Sequence, residues 1–96
     1  MNEDDSSGFV ATTVVLKNKL GMHARAAALF VKAASKYRAE IKVARDDQKV
    51  NGKSIMGILT LAAPQGTPLT IWANGDDADQ ALEELSCLIE RRFGEE

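Results

Sequence analysis

The one histidine of the 96-residue chain, His23, stands in Gly21-Met22-His23-Ala24-Arg25, where a run rich in β-branched residues gives way to an alanine-rich stretch. A neutral imidazole carries a nucleophilic nitrogen lone pair near pH 7 and can attack phosphorus. At a helix N-terminus it would meet free backbone N–H donors and the positive end of the macrodipole, and the Arg25 guanidinium could fork onto phosphate oxygens. The dipole contributes only about 0.3–1 kcal/mol, so such a site would hold a phosphoryl group without trapping it. A second reading is open: His23 only begins a helix, its ring on the surface and Arg25 an ordinary solvated charge.

Other chemistries find less support in the residue types. One histidine and a distant Cys87 give no metal-ligand spacing, so neither a metal nor a cofactor is expected. A serine or cysteine nucleophile paired with His23 would need an orienting partner that the spacing does not reveal. Cys87 cannot form an internal disulfide; beside Leu88 in a predicted helix it reads as a small buried or half-buried thiol, compatible with a reduced compartment.

Net charge points toward a protein partner. Lys and Arg number 12 against 14 Asp and Glu, but Glu3, Asp4, Asp5, Glu95 and Glu96 lie in terminal segments without bases, which leaves nine acids in the body and a net +3. A mildly basic body suits an acidic protein face, and aromatic residues for base stacking are scarce at 5%, so no nucleic-acid partner is expected. No apolar run reaches the roughly 18 residues of a membrane span, and Met1 to Gly8 is acidic where a signal peptide is basic. A cytoplasmic protein without membrane insertion follows as the expectation.

The elements that must position His23 can be read from periodicity. Residues 1–8 are polar and aperiodic, a disordered acidic leader; residues 9–94 form one domain; residues 95–96 are left as an acidic tail. Val10, Thr12, Val14 and Leu16 would share one strand face in Val10 to Lys17. A helix is predicted from Ala24 to Tyr37, with Ala26, Leu29, Phe30, Ala33, Ala34 and Tyr37 as its apolar stripe. Glu40 to Arg45 and Gln48 to Val50 read as a hairpin across Asp46-Asp47, and Leu69 to Ala73 as a further strand. The last helix, about Ala78 to Phe93, has Asp76 or Asp77 as cap, Ala78, Ala81, Leu82, Leu85 and Ile89 as stripe, and Gly94 as stop.

Between the hairpin and the Pro64-to-Gly66 turn lies Ser54-Ile55-Met56-Gly57-Ile58-Leu59-Thr60-Leu61, in which Ser54 can cap a short helix. Its large apolar side chains exceed one stripe, so either the helix is unusually buried or some of Ile55, Met56 and Leu59 face a partner. The order β-α-β-β-α-β-α, with half-polar strands, predicts an α+β open-faced sandwich. Its four-stranded antiparallel sheet has the order 1-4-2-3, with three helices on one face and the fourth strand inserted under the first crossover.

Asn18-Lys19-Leu20-Gly21-Met22-His23-Ala24-Arg25 resembles the active-site segment of the HPr family, the histidine-containing phosphocarriers of the bacterial phosphotransferase system. Lys53-Ser54-Ile55-Met56-Gly57-Ile58-Leu59 resembles the family's serine and docking segment, and the likeness runs from about Val10 to Phe93. It implies a carrier in a relay rather than a stand-alone enzyme, a monomer in which His23 accepts a phosphoryl group on Nδ1 from enzyme I and hands it to enzyme IIA-type acceptors. It further implies that Arg25 steadies the phosphate charge and that Met22, Ile55, Met56 and Leu59 form the partner-binding surface. Ser54 corresponds to the serine that a dedicated HPr kinase/phosphorylase modifies in many members. Ala26 stands where the family usually has proline; alanine is an excellent helix former and restores an N–H. A binding-only regulator of the same fold, acting through the Ser54 helix, is the alternative.

Overall fold

The computed structural model describes Gly8–Glu95; residues 1–7, which hold most of the expected leader, and Glu96 lie outside the described residues. In chain order the elements are β1 (Val10–Val15), α1 (Ala24–Ala34), β2 (Glu40–Arg45), β3 (Gln48–Asn51), α2 (Ile55–Leu59), β4 (Pro68–Asn74) and α3 (Ala78–Glu90), followed by one 3-10 turn, Arg92–Gly94.

The four strands form one antiparallel sheet in the order β1-β4-β2-β3, as the element order and the first crossover predict. Ile71 at the middle of β4 lies opposite Thr12 of β1 on one side and Val43 of β2 on the other. Period-two alternation divides β4 between two environments: Leu69, Ile71 and Ala73 are fully buried, while Thr70 and Trp72 are half-exposed on the other face. That second face is polar. The Thr13 and Thr70 hydroxyls hydrogen-bond at 3.0 Å, and Lys49 Nζ lies 4.4 Å from the Trp72 ring centre.

The core joins the buried sheet face to one stripe from each helix: Phe30 of α1, Ile58 of α2, Leu85 and Ile89 of α3, all fully buried. Helix α1 survives Ala26, which is itself fully buried. Its inward stripe includes Ala27, whereas Leu29, expected inside, is 36% exposed; α1 packs against α2 and α3, and the face it turns inward carries the alanines and Phe30, which leaves Leu29 at the margin. Cys87 is also corrected: it is exposed, because the stripe Ala78, Ala81, Leu82, Leu85 and Ile89 turns position 87 away from the core.

Helix α1 ends three residues before its sequence pattern does. Lys36 and Tyr37 N–H groups bond Ala33 and Ala34 in a closing turn, and both side chains meet the Glu84 carboxylate of α3. Asp77 precedes α3 but does not cap it with its side chain. Its carboxylate instead accepts the Arg38 and Ala39 N–H groups at 2.9 Å, and the Arg38 bond foremost holds Asp77 below the usual carboxylate pKa. Among the described residues no helix is long and apolar enough to cross a membrane, and no cluster of three metal-ligating side chains occurs.

Truncating Phe30 tests the helix-on-sheet core. Phe30→Ala is expected to lower unfolding free energy by about 3–5 kcal/mol, read as a lower urea midpoint; an unchanged midpoint would contradict its central place.

Candidate functional site

The backbone before His23 is set by a glycine. Gly21 has φ +68, and a Cβ there would lie 2.4 Å from the Ala63 carbonyl oxygen and 2.8 Å from Pro64 Cα. Only the bare backbone can pass so close. The passage is locked by the Met22 N–H, which donates to Ala63 O at 2.9 Å. Met22 is 4% exposed and belongs to the core, which corrects its assignment to the docking surface: the side chain supports the segment from within.

His23 is the N-cap residue of α1, in extended conformation, and its carbonyl accepts the Ala27 N–H at 2.8 Å. Its side chain makes no capping bond and is 24% exposed. The helix's first turn has no acidic side chain to oppose an anion. Exposed Arg25 shares with His23 an open pocket of about 410 Å³, lined also by Lys19, Leu20 and Glu95.

Glu95 was legible only as part of an acidic tail, yet its Oε2 lies 2.5 Å from His23 Nε2. Its Oε1 accepts from Asn18 Nδ2 at 3.1 Å; the same Nδ2 donates to Gly21 O at 2.7 Å. Asn18 is 1% exposed. The His23 hydrogen bond, then that of Asn18 and the charges of His23 and Arg25, hold the Glu95 carboxyl below the usual range against the opposing effect of burial. Spacing could not have joined residues 23 and 95. The available signal was Phe93, an apolar residue just past the last helix, which is buried at 6% exposure and carries the tail against the body.

Ser54 caps α2, its Oγ accepting the Gly57 N–H at 3.0 Å. Of the three apolar residues expected around it, Met56 is 73% and Ile55 40% exposed, whereas Leu59 is half-buried and packs against the core. Helices α1 and α2 pack on each other. Leu20, 70% exposed beside the His23 pocket, is an apolar residue that sequence reasoning passed over within a polar turn.

Residues 10–91 match the family model described as the PTS HPr component phosphorylation site. The chain belongs to the HPr family. It is 43% identical over 83 residues to the phosphocarrier protein HPr of Neisseria meningitidis serogroup A, spanning 86% of this chain and 93% of that one. It is 45% identical over 86 residues to the HPr of Pseudomonas aeruginosa, spanning 88% and 96%. The crystal structure of HPr-C-His from Thermoanaerobacter tengcongensis superposes with a TM-score of 0.88 at 50% identity, covering 91% of this chain and 98% of that one. As an HPr phosphocarrier the protein is a component of the phosphotransferase system, and the fold expected from its element order is the fold of the family.

Two measurements probe the site without any partner. Gly21→Ala is expected to cost about 1–3 kcal/mol through left-handed strain, with the added clash at Ala63 displacing the His23 resonances; a variant as stable as the parent with unshifted signals contradicts the close passage. Because the folded Glu95 pKa is depressed, its contribution to tail docking is present above the ordinary glutamate pKa and lost as pH falls through the folded value. The Glu95 carboxyl ¹³C resonance should therefore titrate below the ordinary glutamate range; a midpoint at or above it contradicts the contact.

Proposed function

We propose that His23 accepts a phosphoryl group on Nδ1 from phosphorylated enzyme I, the group originating in phosphoenolpyruvate, and passes it to enzyme IIA-type acceptors. In each step the bond from the attacking atom to phosphorus forms as the donor's bond to phosphorus breaks, and the departing atom keeps the electron pair. What carries this reading is one pocket at the open N-terminus of α1 that joins His23 to Arg25, in a chain whose family match is a phosphorylation site. Backbone donors of the helix start and the Arg25 guanidinium serve the phosphoryl oxygens.

Exposed Leu20, Ile55 and Met56 supply the apolar part of the docking surface, with half-buried Leu59 completing its base. Lys19 and Arg25 beside the pocket steer an acidic partner face. Phosphorylation of Ser54 by an HPr kinase/phosphorylase would place about −1.5 to −2 charge at the α2 N-cap, favourable to the helix yet repelling that face. In this reading the carrier works as a monomer in the cytoplasm.

Incubation with phosphoenolpyruvate and enzyme I is expected to add one acid-labile phosphoryl group by intact mass, and His23→Ala to abolish it; continued labelling of that variant excludes His23 as acceptor. Phosphorylated Ser54 is expected to weaken enzyme I binding at least about tenfold, equivalent to about 1.4 kcal/mol, by calorimetric titration. Equal affinities of the two forms exclude the regulatory role. Ser54→Ala should lose about 1 kcal/mol of stability with its cap.

A further inference from the structure

We infer that Glu95 is a positioning residue for His23: its carboxylate, held by buried Asn18, keeps the imidazole proton on Nε2 and so leaves the lone pair on Nδ1. The inference deepens the phosphocarrier reading and rests on it.

An ionised carboxylate only accepts hydrogen bonds, so at 2.5 Å from Glu95 Oε2 the proton belongs to Nε2. In a neutral imidazole the other nitrogen then holds the lone pair. Asn18 fixes the carboxylate in turn, since its one amide nitrogen bonds both Glu95 Oε1 and the Gly21 carbonyl. Asn18, Glu95 and His23 thus form a hydrogen-bonded chain in which the nucleophile is oriented by a second group and that group by a third.

The backbone supports the same arrangement. Arg92 and Phe93 have φ +57 and +55, a left-handed conformation that is unfavourable for a non-glycine residue, and Gly94 follows at φ +77. Burial of Phe93 holds this reversal, and its consequence is that a carboxylate 72 positions away reaches the histidine.

The chemistry explains what the arrangement is for. With Nδ1 already unprotonated, the N–P bond forms without a proton leaving the attacking atom, so no external base is needed. The ring becomes positively charged while Nε2 keeps its proton, and Glu95 faces that charge. On transfer onward the N–P electron pair returns to Nδ1 and the Nε2 proton remains where it was.

The test uses the full ¹⁵N-labelled chain as wild type, Glu95→Ala and Glu95→Gln, with backbone amide spectra as the check on folding. Long-range ¹⁵N–¹H spectra of the neutral ring should show the proton on Nε2 in the wild type. Glu95→Ala should gain a Nδ1-protonated population, and Glu95→Gln, whose amide oxygen still accepts, should stay near the wild type. A wild-type proton on Nδ1, or an Ala variant with an unchanged pattern, overturns the inference. With enzyme I and phosphoenolpyruvate, Glu95→Ala should accept the group about three- to tenfold more slowly, the upper end being about 1.36 kcal/mol on the barrier, with Glu95→Gln between. Equal rates for Ala variant and wild type also overturn it. A wild type that accepts no phosphoryl group removes the carrier reading itself, and is told apart by the tautomer pattern, which is read without enzyme I.

Discussion

Pairing of β4 on both edges is the constraint from which the rest of the molecule follows. Because β1 and β2 each run antiparallel to β4, they point the same way, and α1 must cross the sheet to connect them. The helix therefore begins at the edge where β1 ends, beside the loop that enters β4, to which Leu16 is tied by bonds with Gly66 and Thr67. β4 runs away from that edge and α3 returns toward it, so the end of the last helix arrives where the first one starts. His23 and Glu95 meet for topological reasons.

Packing and site geometry are coupled through small residues. Gly21 lets one backbone segment cross another at van der Waals limits, and Ala26 and Ala27 are fully buried on the inward face of α1. The result is an imidazole on a rigid base but in an open pocket, about a quarter exposed. Hydrogen bonds to charged groups are worth about 1.5–3 kcal/mol each, enough to orient a ring, while the helix dipole adds less than one such bond. A carrier needs that ranking. In the proposed role of His23, strong orientation of the ring combined with mild stabilisation of its cargo would let a group arrive and leave.

Sequence reasoning failed where one helix face had to be chosen over another. Ala27 and Leu29 lie two positions apart on α1, and hydrophobicity favours leucine inside, yet the face turned to the core takes the alanine, which is fully buried, and leaves Leu29 36% exposed. Met22 and Met56 have the same composition and opposite fates, one locked inside by its backbone bond to Ala63 and the other 73% exposed on α2. Cys87 was misjudged for a related reason: pattern gives a period, and the phase of a helix is set by what it packs against.

The order of elements, the cap at Ser54, the histidine at a helix start and the two family segments were determined by the sequence itself, because local propensity, capping chemistry and periodicity act over a few residues. Contacts made across the chain were decided by tertiary structure alone. Asn18, Glu95 and His23 become one hydrogen-bonded unit only after β4 is inserted, α3 returns and Phe93 is buried. No local rule links residue 18 or 23 to residue 95; closure of the core does, because burying Phe93 brings the end of the chain back to the start of α1, where the Glu95 carboxylate meets the imidazole.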